Sequence, residues 1–169
     1  MSISQALLGE FGHELAGTRK VLERVPEAKF AWAPHPKSSP MGRLATHLSD
    51  LSGLGVQVME TEELDIAPVD RPAYTPPTFK SVREILANFD DKSARLCARF
   101  ETAPDAAWMV PWSMKRGGKT IFTLPRIAAV RTLVFNHTIH HRAQLSVYLR
   151  LCDVPVPSLY GPSADEGNM

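Results

Sequence analysis

Cysteine is scarce in this sequence: Cys97 and Cys152 are the only two, they stand far apart, and neither belongs to a CxxC pair. A disulfide framework therefore has no support. An excess of one charge is missing as well, because nineteen Lys and Arg face eighteen Asp and Glu, for a formal net charge of +1. Nothing marks the chain for a polyphosphate backbone, and no nucleic-acid partner is expected. Apolar runs last only a few residues, far short of the ~20 that span a bilayer, so no membrane partner is expected either. No secretory h-region follows Met1, which points to a reduced, cytoplasmic setting. Strand alternation that rivals the helical patterns is absent, as is any repeat of 20 to 50 residues, which sets solenoids and parallel-sheet folds aside.

What is present suits a globular protein: hydrophobic residues make up 44% and charged residues 22% of the 169 positions, enough for one core in a single domain over 1–169. Four segments carry helical periodicity, and most of the fourteen prolines fall between them. The first, about Ile3 to Leu22, places Leu7, Leu8, Phe11, Leu15 and Leu22 on one stripe and stops before Pro26. Ser39-Pro40 reads as an N-cap followed by proline at the first helical position, opening a second helix that runs to about Glu63. Pro68, Pro72, Pro76 and Pro77 then form a connection too long and stiff for a tight turn, so the chain is expected to cross over between helices two and three. Ser81-Val82-Arg83-Glu84 reads as a capping box, and Ile85, Phe89, Leu96 and Phe100 give helix three its apolar face. Trp108 to Phe122 is irregular, with Gly117-Gly118 as a short hairpin turn or a plain loop. Periodicity resumes from Thr123 as a plausible cap and lasts to about Leu151. The fold class is thus all-α, a four-helix bundle.

The six histidines carry the functional signal. On helix four, His137 and His141 stand one turn apart and within about 40° of each other, inside the stripe of Val130, Val134 and Tyr148. This HxxxH spacing lets two imidazoles chelate one ion. On helix two, His47 shares a stripe with Leu44, Leu51, Leu54 and Val58. A buried imidazole left without partners costs about 1 to 3 kcal/mol, so three on converging apolar stripes call for either separate hydrogen-bond partners or one shared metal. His140 flanks the stripe as an alternative second ligand. His35 lies on a loop between prolines. Glu10 and His13 form one ExxH, but a carboxylate-bridged di-iron site needs two such motifs, and Val134 occupies the acidic position before His137. A haem between two facing histidines is a further option that nothing in the sequence favours. Gly117-Gly118, beside Lys115, Arg116 and Lys119, is a weak phosphate-cradle signal without Walker spacing.

Three stretches together bear a wider likeness: Trp32-Ala-Pro-His-Pro-Lys-Ser-Ser-Pro-Met-Gly-Arg-Leu-Ala-Thr-His47-Leu, Asn136-His137-Thr-Ile-His-His141-Arg-Ala-Gln144-Leu, and Tyr160-Gly-Pro-Ser-Ala-Asp-Glu166. The chain resembles the DinB family, also called DinB/YfiT-like metalloenzymes, over nearly its whole length. The resemblance implies an up-down-down-up bundle, with His47, His137 and His141 at the family's three metal positions, usually assigned nickel, zinc or iron. Some relatives are thiol transferases that use mycothiol, bacillithiol or glutathione, and one branch is a thiol-dependent isomerase.

Three neutral imidazoles would leave an ion its full charge and at least one open position, as in catalytic rather than structural zinc. A water there has its pKa lowered towards about 7, and a thiol is deprotonated outright. The expected function is a metal-dependent enzyme, a thiol S-transferase acting on a small-molecule substrate; the alternatives are a metal-dependent hydrolase and a non-catalytic metal-binding dimeric module. No catalytic residue is identifiable. Gln144 and Asp50 are candidates for supporting or substrate contacts, and Trp32 and Tyr160 for the mouth of a pocket. Ala128, Phe135 and Ile139 fall on the far side of helix four from His137, so a homodimer is expected there unless another part of the chain covers that face.

Overall fold

The computed structural model describes residues 1–167 and is mostly helical. Helix α1 (Ile3–Leu22) begins at a capping box in which Ser2 accepts from Gln5 N–H and the Gln5 side chain accepts from Ser2 N–H. Helix α2 (Met41–Glu60) has Pro40, not Ser39, at its N-cap, and its first amides are satisfied from outside: Met41 N–H donates to Trp32 O and Gly42 N–H to Phe30 O. Helix α3 (Val82–Thr102) keeps half of its expected box, since Ser81 accepts from Glu84 N–H while the Glu84 carboxylate takes Lys80 N–H instead. The short α4 (Asp105–Trp108) then leads into a hairpin.

The all-α expectation needs correction here. Strands β1 (Glu63–Asp65), β2 (Pro111–Arg116) and β3 (Lys119–Pro125) form a sheet in the order β1-β2-β3, parallel then antiparallel. The alternation that builds it was present but brief: Trp112 and Met114 turn inward on one strand, Phe122 and Leu124 on the other. Gly117 (φ 58°) and Gly118 (φ 76°) supply the two positive-φ positions of a two-residue hairpin turn. Their amides donate to the Asp65 carboxylate at 3.0 and 2.6 Å, so the turn holds an anion of its own chain rather than a phosphate. These bonds pull the Asp65 carboxyl below its ordinary range.

Helix four also differs. Thr123 lies in β3, and the last helix starts as α5 (Arg126–Val130), passes through a π turn (Arg131–Phe135) and continues as α6 (Asn136–Leu151). Asn136 N–H donates to Arg131 O, five residues back. The wider turn keeps Ala129 and Val130 in line with Val134 and Phe135, each five positions on, and all four are buried. Phe135, expected on an outer face, stacks on Phe11 at 5.0 Å between centroids and lies beside Phe100. The chain itself covers that part of the face.

Side-chain pairs fix the helix directions. Ser4 bonds Ala103 O while Arg19 reaches Asp90, so α1 and α3 run antiparallel. Asn88 meets Ser49, Ser93 meets Ser52 and Arg99 meets Glu60, so α2 and α3 run parallel. Parallel neighbours require the chain to return over a helix length of about 30 Å, which is the work of the proline-rich crossover. That return delivers Pro76, Pro77 and Phe79 to the N-terminal end of α2. The core has two lobes, one around Leu22, Met41, Leu48 and Leu149, the other around Phe11, Phe100, Trp108 and Phe135. On α6 the pair His137 and His141 sits where one lobe, ending at Val134 and Phe135, gives way to the other, beginning at Leu145.

Candidate metal centre

His47 from α2 meets His137 and His141 from α6, and one ring nitrogen from each lies within 4.8 Å of the others, a group that could hold a metal ion. The convergence is tight: His47 Nε2 is 3.3 Å from His137 Nε2, and the three ring centroids are 4.6 to 5.0 Å apart. Nitrogens bound tetrahedrally at about 2.1 Å from one ion would stand about 3.4 Å apart, so the donor set fits.

The second nitrogen of the His141 ring is held to suit. His141 Nδ1–H donates to Gln144 Oε1 at 2.7 Å, which leaves its Nε2 as a lone-pair donor. The Leu133 carbonyl in the π turn favours the protonated His137 ring, against the effect of burial. All three rings resist protonation. Burial pushes His47 down to about 4, helped by His141 and His137 beside it. Burial and then His141 lower His137, and burial lowers His141 against the opposing bond from Gln144. At neutral pH the cluster is therefore uncharged and nucleophilic, the state in which imidazole ligates a cation.

A cleft of ≈ 750 Å³ opens onto His47 and His141, walled by Phe30, Pro40, Pro76, Pro77 and Phe79, with Arg43 at its rim. Of the supporting residues named from sequence, Gln144 touches a cluster histidine, whereas Asp50 instead accepts from Tyr74 OH at 2.6 Å and pairs with Lys92 at 3.3 Å. The Tyr74 contact ties the crossover to α2. Neither candidate for the mouth lines the cleft. Trp32 packs edge-on against Tyr148, and Tyr160 belongs to a separate cluster. His140 is exposed, with its ring 4.9 Å from His141, and lies outside the converging group. His13 is exposed beside Tyr160, and His35 accepts from Lys37 N–H on its loop.

That separate cluster went unread in the sequence. Arg142, next to His141 in the chain, is buried and donates to Glu14 Oε2 (2.6 Å), Glu14 O (3.0 Å) and Tyr160 OH, while Tyr160 OH donates to Glu14 Oε2 (2.7 Å). It holds α6, α1 and the C-terminal segment together. Arg142 and Tyr160 stand within the second and third stretches of likeness, but an arginine or glutamate on a helix ordinarily reads as solvated, and nothing linked the two to Glu14.

Several solved structures share this architecture, two DinB-like proteins among them. A DinB-like protein from Bacillus cereus matches with a TM-score of 0.67 at 20% identity, over 92% of this chain and 97% of that one. The DinB-like protein YjoA from Bacillus subtilis matches with a TM-score of 0.66 at 14% identity, over 90% of this chain and 96% of that one. No curated protein matches the chain. Residues 10–145, which span both arms of the histidine cluster, match the family model of the DinB superfamily, and the chain belongs to that superfamily.

Proposed function

We propose that the protein is a metal-dependent enzyme in which His47, His137 and His141 bind one divalent ion, zinc, nickel or iron, and that it transfers a low-molecular-weight thiol to an electrophile. The observation that carries this reading is the meeting of three neutral imidazoles beside an open cleft. An ion with only neutral ligands keeps its full charge and, when bound, lowers the pKa of a thiol or water that joins it. The chain's own part is to hold three lone pairs on one point, to fix the His141 tautomer through Gln144, and to shield the site with the crossover. The preference for thiol over water comes from the family resemblance.

The same reading takes α1, α2, α3 and the α5–α6 segment as an up-down-down-up four-helix bundle in one domain, supported by the pairings Ser4 with Ala103 and Ser52 with Ser93. It also places the protein in the cytoplasm, where Cys97 and Cys152 stay free. Among the described residues no helix is long and apolar enough to cross a membrane. A homodimer through the last helix belongs to the proposal; the exposed apolar pair there is Val147 and Leu151, one turn apart and each 57% exposed, on a different face from the expected Ala128, Phe135 and Ile139.

The test is transfer of a low-molecular-weight thiol to an electrophilic acceptor by metal-loaded and metal-stripped protein. Thiol transfer that needs the metal is expected. Equal rates from the two forms would remove the mechanism, and metal-dependent hydrolysis without thiol consumption would favour a hydrolase. Metal binding with no turnover in either assay would favour a non-catalytic module.

A further inference from the structure

The cleft beside the histidines has one fixed charge. Among the described residues no Asp, Glu or Lys lines it, and Arg43 is the only charged side chain that does. Arg43 has no salt-bridge partner among the described residues, unlike Arg19, Arg99, Arg131 and Arg150. It is the third residue of α2, a 20-residue helix whose first turn, with Pro40 and Gly42, faces the cleft. The amides of Met41 and Gly42 are taken by Trp32 O and Phe30 O, whereas that of Arg43 makes no hydrogen bond among the described residues. A guanidinium, a free amide and the positive end of a helix dipole thus share one end of a cleft whose other lining side chains are apolar or, at Ser39, Thr46, Thr78 and the two histidines, uncharged.

Spacing links this end to the chemistry. Arg43 precedes His47 by four residues, about 6 Å along the helix axis and on the same face. The walls between are built rather than loose. Phe30 is seated against Gly42, where a Cβ would come within 2.9 Å of its side chain, and Phe79 packs on the first core lobe.

We infer that the cleft takes a small organic carboxylate, its carboxylate held by Arg43 and its apolar body lying between Phe30 and Phe79, with its other end at the imidazoles. One planar guanidinium fork matches one carboxylate, and no lysine or second arginine is present to share a phosphate dianion. The inference names the substrate class of the proposed enzyme and rests on that reading for its chemistry, but the binding it requires does not depend on a bound ion.

The experiment titrates phenylacetate and phenylacetamide into the full chain, with and without zinc, by calorimetry. Phenylacetate is expected to bind more tightly than the amide in both forms. Arg43→Gln should weaken phenylacetate about tenfold, the scale of one charge-assisted contact near solvent, and leave the amide unchanged. Arg43→Lys should keep part of the preference. Circular dichroism and metal content should match the parent for both variants. Equal affinity for acid and amide, no binding of either, or a preference that survives Arg43→Gln would each overturn the assignment, as would inorganic phosphate displacing phenylacetate more effectively than acetate does. Loss of metal binding with the acid preference intact would count against the metal centre alone.

Discussion

Imidazoles that stay neutral in a folded protein exact a stability cost in acid, and at the residue scale this makes the histidine cluster measurable without any substrate. The folded value of His47 is about 4, below its ordinary 6.5. In that interval the unfolded chain binds the proton more readily, so stability rises with pH between about 4 and 6.5. Above 6.5 the cost is absent, and below about 4 it is present in full. His137 and His141 shift in the same direction and add to it. Metal-free protein should therefore lose thermal stability as pH falls through this window, and the His47 ring resonance should titrate near 4; a midpoint near 6.5 would contradict the burial described above. Replacing His47, His137 or His141 with Ala should sharply reduce metal content measured by elemental analysis, and full retention in all three variants would exclude this site. Gln144→Ala frees the His141 Nδ1–H and should weaken metal affinity by about 10- to 100-fold, read by chelator competition.

At the scale of elements, the last helix depends on its π turn. A continuous α-helix would put Arg131 rather than Val130 in line with Phe135, and would turn the histidine pair away from the stripe that anchors α5. Deleting exposed Thr132 from the turn removes the extra residue. The shortened protein should lose both metal and several degrees of thermal midpoint, and unchanged values for both would show that the turn does not set the phase. The opposite side of the site relies on close packing. A Cβ at Gly55 of α2 would lie 2.5 Å from Leu96 Cδ2 and 3.1 Å from Val134 Cγ2. Both neighbours are fully buried, so Gly55→Ala should cost about 1 to 3 kcal/mol in urea unfolding.

For the whole molecule, the buried Arg142, Glu14 and Tyr160 cluster decides how the C-terminal segment closes on the helices. Removing one member of a buried pair leaves a charge without compensation, so Glu14→Ala should destabilise by about 3 to 5 kcal/mol. Tyr160→Phe deletes one hydroxyl and should cost about 1 kcal/mol by the same urea measurement. Further along, Glu166 accepts from Arg24 and from Ser158 N–H, and Asp165 from Arg150 and Val156 N–H, which fastens the segment at a second point. The proposed homodimer belongs to this scale as well. Sedimentation at tens of micromolar should show a species of twice 18.7 kDa, and a monomer alone would remove the dimer.

Local chemistry accounts for what could be read from the chain itself. Apolar residues three and four apart determined α1, α2 and α3, prolines marked their ends, and the i, i+4 spacing of His137 and His141 aligned two imidazoles before any tertiary contact. Two short alternating strands around Gly117-Gly118 were too brief to outweigh those patterns, and β1 supplies only three residues to the sheet. Four features rest on residues far apart in sequence: the 3.3 Å approach of His47 to His137, the stacking of Phe135 on Phe11, the burial of Arg142 against Glu14, and the return of the crossover to the mouth of the cleft. Helical spacing specifies which side chains share a face. Which faces meet, and which polar group finds its partner there, is decided only when the helices pack, because that depends on burial and pairing between segments that no local pattern connects.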